Sequence, residues 1–207
     1  MREQPLAKQE HERLQRQHKS DGVTPQLVAH DKIVAGLGAN CPGPWGTAAE
    51  TVRRALSEIA ARGVTVTAVS PFYATAAVGR ARQPPYVNAV ALIDTSLPPE
   101  ALLRLFKRIE RDSGRRGGRP WGQRTLDIDL IDYKGRVKHW RGQRADFARA
   151  GQRPLVLPHP LMHQRPFVLR PLLDIAPNWR HPALNRSAGE LWHRISESQE
   201  GRVLKRL

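Results

Sequence analysis

The chain is poor in the parts from which several common kinds of site are built. Its 207 residues include one cysteine, Cys41. A lone thiol excludes an internal disulfide and a zinc centre built on thiolates, and it fits a reducing compartment. Cys41 also has no evident base partner, which argues against thiolate nucleophilic catalysis. No apolar run approaches the roughly 20 residues of a membrane-spanning helix, and the N-terminus lacks the apolar stretch of a secretory signal. A soluble, cytoplasmic protein is therefore expected. No Gly-x-x-x-x-Gly-Lys-Ser/Thr occurs, so a P-loop is excluded. Acidic residues are scarce, 19 against 34 Lys and Arg, for a net charge of +15. That imbalance favours an anionic partner, whether nucleotide, nucleic acid or acidic surface, without choosing among them.

What is present organises into one domain behind a tail. Residues 1–31 are polar and charged, with Leu6, Leu14 and Leu27 too sparse to form a core, and they read as a flexible basic tail. From residue 32 to 207 a single domain is expected. Ile33-Val34-Ala35-Gly36-Leu37-Gly38 is a short buried strand that ends in the breaker-rich loop Asn40-Cys41-Pro42-Gly43-Pro44. Thr47-x-x-Glu50 forms a capping box, and Val52, Ala55, Leu56 and Ile59 lie on one stripe of the helix it opens. Gly63 stops that helix. Val64 to Val69 alternates as a second strand, running on towards Tyr73. Tyr86 to Ile93 is a third. Pro98-Pro99 opens a second helix, carrying Leu102, Phe106 and Ile109 at helical spacing. Arg124 to Leu130 is the fourth strand.

The order β-α-β-β-α-β is ferredoxin-like, an α+β fold. Its usual antiparallel sheet order is 4-1-3-2, with the helices on one face. That topology sets the C-terminal ends of strands 1 and 2 beside the N-terminal ends of strands 3 and 4. Asn40, the 75–79 stretch, Tyr86, Asn88, Arg124 and Asp127 should therefore converge at one rim. Residues 139–153 read as an insertion. Short helices near 165–172 and 188–196 are C-terminal additions.

The fourth strand carries the strongest chemical signal. In Leu126-Asp127-Ile128-Asp129-Leu130 the apolar residues alternate with two carboxylates. On a strand, Asp127 and Asp129 share one face, with Cα atoms about 6.6 Å apart. That spacing lets two carboxylates hold a pair of metal ions about 4 Å apart. Oxygen donors without thiolate select a hard cation, Mg²⁺ first. Immediately upstream, Gly114-Arg115-Arg116-Gly117-Gly118-Arg119-Pro120-Trp121-Gly122 combines mobile glycines with anion-binding arginines, which suggests a polyphosphate substrate. Taken alone, alternating Asp is also the pattern of a solvated strand face.

Lesser features have competing explanations. His159 and His163 are four apart, but Pro160 lies between them and no third ligand is evident, so zinc is disfavoured. Trp45, Trp121 and Phe167 are loop-associated aromatics suited either to anchoring a loop or to stacking on a flat heterocycle. Asn88, alone among apolar strand residues, can read a heterocycle edge or serve as a satisfied strand amide.

These segments together resemble the 6-hydroxymethyl-7,8-dihydropterin pyrophosphokinase family. The resemblance runs from Ile33 to Pro177 through Gly38-Ala39-Asn40, Ser70-Pro71-Phe72-Tyr73-Ala74-Thr75, Gln83-Pro84-Pro85-Tyr86-Val87-Asn88, Trp121-Gly122-Gln123-Arg124-Thr125-Leu126-Asp127-Ile128-Asp129, and Pro158-His159-Pro160-Leu161-Met162-His163-Gln164-Arg165-Pro166-Phe167. It implies transfer of pyrophosphate from ATP, the co-substrate, to the hydroxymethyl group of a reduced pterin, with AMP released. Asp127 and Asp129 would hold two Mg²⁺ ions, and Arg115 and Arg124 would complete the catalytic set. Glu110, Arg115, Trp121, Arg124, His159 and Arg165 would line the ATP side. Thr75, Tyr86, Asn88, Trp121 and Phe167 would bind the pterin. A monomer with small-molecule partners is implied, with neither membrane nor nucleic acid among them. Ala39, Leu161 and Gln164 depart from the Ser, Arg and Glu common at those positions. Two other readings stand beside this one: a ferredoxin-like nucleic-acid-binding module, and another Mg²⁺-dependent nucleotidyl transferase. The first is weakened by the lack of a strand aromatic pair beyond Tyr86.

Overall fold

Period-two alternation of Val, Ile, Leu and Ala draws six segments into one antiparallel sheet. The structure, a computed structural model, describes residues 31–78, 83–116, 122–142, 154–195 and 201–207. The expected tail as far as residue 30, most of the expected insertion, and Trp121 lie outside the described residues. The strands are β1 (Ile33–Ala39), β2 (Thr65–Val69), β3 (Tyr73–Thr75), β4 (Tyr86–Asp94), β5 (Asp127–Tyr133) and β6 (Val203–Arg206). Helices α1 (Ala48–Ala61) and α2 (Pro99–Asp112) follow β1 and β4, and α3 (Pro166–Ile175) and α4 (Ala188–Ile195) come later. The sheet runs β5-β1-β4-β3-β6, with β2 also paired to β4. With β2 and β3 counted as one strand, this is the expected 4-1-3-2 order.

The sequence devices act where they stand. Thr47 caps α1, and Glu50 closes the box by accepting the Thr47 N–H at 2.7 Å. Such a cap contributes about 1 kcal/mol. Ala35, Leu37, Ala91, Ile93, Ile128 and Leu130 point towards α1 and α2 and form the main core with Ile59, Leu102 and Phe106.

Three features differ from expectation. The second strand is broken in two, because Pro71 has no N–H to offer the ladder. Ser70 bridges the break: its N–H donates to the Val90 carbonyl at 2.9 Å, and its Oγ accepts the Val90 N–H at 3.0 Å. The fourth strand starts at Asp127 rather than Arg124. The second sheet face is left open only in part. Val34, Val90, Leu92 and Ile131 pack there against Val168, Leu169, Leu172, Trp179 and Leu191 of the C-terminal region. A bulge in β5 adds a polar contact to this packing. Ala35 faces Leu130 and Val34 faces Asp132, so Ile131 is the extra residue. The bulge reverses the alternation and sends Asp132 to the second face, where it accepts the Trp179 indole N–H at 2.8 Å.

His181 is fully buried, with its ring centroid 5.7 Å from that of His163 and 5.4 Å from that of Trp140. Its Nδ1 accepts the backbone N–H groups of Ala183 and Leu184. Desolvation, and secondarily His163, push its pKa down to about 4. The folded value lies below the unfolded one, so this group's stabilisation is present above pH 6.5 and is lost as the pH falls towards 4. His181→Gln should therefore flatten the acid side of the stability curve. Urea unfolding at pH 7 and pH 4 should show the wild type losing on the order of 3 kcal/mol more than the variant between the two.

Candidate active site

The rim predicted by topology is one side of a cleft of about 520 Å³, and α3 with the loop before it is the other. At the rim, Asn40 Oδ1 accepts the Arg124 N–H at 2.8 Å, and Tyr86 Oη donates to the Gly122 carbonyl at 3.1 Å. Strand ends distant in sequence are thus tied together where the cleft opens.

Asp127 and Asp129 stand side by side on the floor, each side chain 31% exposed. Arg115 holds Asp127 at 2.6 Å, with Arg124 at 3.6 Å. Arg165 lies 3.4 Å from Asp129, and His159 Nε2 lies 3.9 Å away. The two carboxylates titrate as a coupled pair driven apart. Burial and the charge of Asp129 raise the Asp127 carboxyl, against Arg115 and Lys107. Burial would also raise Asp129, but cationic neighbours more than offset it, and its net shift is downward. Desolvation brings the His159 pKa to about 4, so that ring is neutral near pH 7 and Arg165 is the partner that acts there.

Glu110 lies behind this floor and is 3% exposed. Its Oε1 accepts the Ile128 N–H at 2.7 Å, Lys107 Nζ at 2.6 Å and Arg115 at 2.6 Å. Arg115 therefore bridges Glu110 and Asp127 through one nitrogen. Glu110 does not line the cleft; Lys107 does. Sequence reasoning passed over Lys107, although its place three residues before Glu110 on α2 was a readable signal.

At the other end the cleft is more apolar. Tyr86, Phe167, Val168, Ala76 and Val78 line it. Asn88 is buried there and donates to Thr75 Oγ1 at 2.7 Å. A Cβ at Gly38 would lie 2.6 Å from Asn88 Oδ1, so only glycine leaves room for this amide. Desolvation, with the Asp127 charge, pushes the Tyr86 phenol up to about 12, so it stays a neutral wall and donor. Of the residues the sequence singled out, Trp45 is outside the cleft, packed on the main core with Arg54 over its ring at 4.8 Å.

A family model for 7,8-dihydro-6-hydroxymethylpterin-pyrophosphokinase (HPPK) matches residues 34–177. The chain belongs to this family. It is 36% identical over 163 residues to the 2-amino-4-hydroxy-6-hydroxymethyldihydropteridine pyrophosphokinase of Synechocystis sp., covering 78% of this chain and 75% of the relative. The protein of the same name from Pseudomonas aeruginosa is 37% identical over 152 residues, covering 73% of this chain and 84% of the relative. Among solved structures, the HPPK-DHPS protein of Plasmodium falciparum superposes with a TM-score of 0.58 at 14% identity. That match covers 80% of this chain and 44% of the other, and it bears on the fold alone.

Within this pyrophosphokinase, Asp127 and Asp129 are suitable donors for a hard cation. Both carboxylates face the cleft, and their mutual repulsion would be relieved by positive charge. No group of three or more His, Cys, Asp and Glu converges among the described residues. Two carboxylates nonetheless suit Mg²⁺, which completes its shell with water and substrate phosphate oxygens. No helix among the described residues is long and apolar enough to cross a membrane.

Glu110→Ala would leave the Ile128 N–H unpaired and remove the anion shared by Lys107 and Arg115. Both cations keep some contact with water, so the cost should fall at the lower end for a broken buried pair, about 3 kcal/mol. Urea titration at neutral pH measures it directly.

Proposed function

We propose that this pyrophosphokinase transfers the β,γ-pyrophosphoryl group of ATP to the hydroxymethyl oxygen of 6-hydroxymethyl-7,8-dihydropterin in folate biosynthesis, with Mg²⁺ held by Asp127 and Asp129. The observation that carries this reading is the joining, in one cleft, of a carboxylate pair ringed by arginines and a polar-edged apolar slot. The first suits a metal-bound polyphosphate, the second a flat heterocycle.

In this reading the heterocycle lies between Tyr86 and Phe167, with its hydrogen-bonding edge towards Asn88 and Thr75. Arg115, Arg124, Arg165 and Lys107 draw in the triphosphate, and His159 lines the same side. The hydroxymethyl oxygen forms a bond to the β-phosphorus while the bond from that phosphorus to the α-phosphate oxygen breaks. AMP leaves with the negative charge, and the hydroxyl proton is released. When bound, Mg²⁺ neutralises phosphate charge and eases ionisation of the attacking hydroxyl. The chain's own part is to hold the two substrates in line and to exchange arginine–carboxylate contacts for arginine–phosphate ones. Trp121 is assigned to both substrates by resemblance alone. A cytoplasmic monomer completes the reading, consistent with the unpaired Cys41.

The nucleic-acid reading has less in its favour, because helices α3 and α4 occupy part of the sheet face on which bases would stack. Product analysis separates the remaining alternatives. AMP formed from ATP in the presence of the pterin marks pyrophosphoryl transfer, whereas free pyrophosphate marks nucleotidyl transfer. Asp127→Ala and Asp129→Ala should each lower kcat at least 10³-fold at saturating Mg²⁺, about 4 kcal/mol of barrier. The melting temperature of Asp127→Ala should be unchanged or raised, since burial and Asp129 disfavour its charge, whereas that of Asp129→Ala, which removes a carboxylate that its cationic neighbours favour, should be unchanged or lowered. Substantial turnover by either variant would refute the metal assignment.

A further inference from the structure

The family match ends at residue 177, yet the chain returns to the cleft beyond it. Gly201 is buried, with φ of +68°. A Cβ at this position would lie 2.5 Å from Cδ1 and 2.9 Å from Cε1 of Phe167, and 3.5 Å from Cγ2 of Val78. Both side chains line the cleft. One residue on, the Arg202 carbonyl accepts the Ala76 N–H at 2.8 Å, and Val203 then begins β6 in register with Thr75. Thr75 is itself the partner of the Asn88 amide. A stretch of three residues thus backs both the apolar wall and the polar edge at one end of the cleft.

We propose that Gly201–Val203 is a positioning element for the heterocyclic substrate. Gly201 sets where the Phe167 ring stands, and β6 holds the Thr75–Ala76 backbone at the depth from which it meets the ligand's edge. The inference rests on the reading of this end as the pterin site. The physical constraint is steric. Phe167 belongs to α3, which is packed on the second core, and Arg165 lies over its ring at 5.4 Å. A ring held in this way cannot yield as the end of a flexible side chain would, so any side chain at residue 201 displaces it from its place in the wall. The positive φ adds a separate backbone penalty for most residues, which Asn tolerates best. Ala and Asn at this position therefore separate the two effects.

The test is steady-state kinetics on the full-length chain with ATP, Mg²⁺ and 6-hydroxymethyl-7,8-dihydropterin, with AMP as the product and a thermal melt of each variant. Gly201→Ala and Gly201→Asn should both raise the KM for the pterin at least fivefold, with the KM for ATP within about twofold of wild type. In a Phe167→Ala background, adding Gly201→Ala should change the pterin KM less than twofold, because the ring it displaces is gone. Restoration of the wild-type pterin KM by Asn would mean that backbone strain alone mattered, and would overturn the inference. Equal rises in both KM values, or losses additive with Phe167→Ala, would overturn it as well. If Gly201→Ala does not fold, Gly201→Asn carries the comparison; failure of both to fold would assign Gly201 to stability and not to the site. A wild-type enzyme that releases no AMP with this pterin would refute the functional reading and the inference together. Wild-type turnover with unchanged variant kinetics would refute the inference alone.

Discussion

Two carboxylates of like charge, fixed on one strand face and each only 31% exposed, are the constraint around which the cleft is organised. Withdrawn from water and next to each other, they could not both remain ionised without compensation. Arg115 and Arg124 beside Asp127, Arg165 beside Asp129, and Lys107 with Glu110 behind them supply it. In this cluster Arg115 does the most. Its desolvation is outweighed by Asp127 and Glu110, so its charge is held more firmly than usual. Glu110 fixes Arg115 from the rear while leaving Asp127 towards the cleft. A triphosphate arriving with a cation would replace both partners at once: phosphate for the arginines, metal for the carboxylates. The arginine–carboxylate pairs match the charges that a cation and phosphates would bring, so such an exchange would need little reorganisation.

The cleft exists because the sheet is covered unequally. Helices α1 and α2 cover one face over β1, β2, β4 and β5. On the other face α3 and α4 seal the half bearing Val34, Val90, Leu92 and Ile131. Gly36, Gly38, Asn88, Asp127 and Asp129 line the cleft on the rest. The bulge at Ile131 marks the change between these halves. Before it, β5 presents carboxylates to the cleft. After it, the reversed alternation sends Asp132 into a dry contact with Trp179.

Much of this was legible in the sequence, for a physical reason. Strand alternation at Leu126 to Leu130, the Thr47–Glu50 box and the helical stripe of Leu102, Phe106 and Ile109 are short-range signals set by local periodicity. The element order then constrained the sheet, and the sheet order brought Asn40, Arg124 and Asp127 to one rim. What escaped depends on contacts between distant segments. Pro71 could be seen, but not that Ser70 would bridge the break by pairing with Val90. Strand β6 is short, and three of its four residues are exposed, so nothing in its own sequence announces a partner. Glu110 was read as part of the site, and it is adjacent to it, but its place behind the floor follows from the packing of the buried stripe of α2, Phe106, Ile109 and Glu110, against β5. Lys107 was missed among 34 basic residues, although its i,i+3 spacing to Glu110 on α2 marks it as that residue's partner.

The two ends of the cleft differ in stiffness, and this bears on where specificity arises. At the apolar end the donors and acceptors are fixed. Asn88 is locked by its bond to Thr75 and by the missing side chain at Gly38, and Thr75 is held between β4 and β6. An amide and a hydroxyl that cannot turn discriminate strongly, since a ligand with the wrong edge leaves them buried and unpaired. At the other end the cleft is lined by long arginine and lysine side chains, which can follow a moving group while keeping their charge. On the proposed reading, rigid groups would recognise the ring and compliant ones would accommodate the transferring phosphates, the division of labour that an in-line transfer between a flat acceptor and a flexible donor requires.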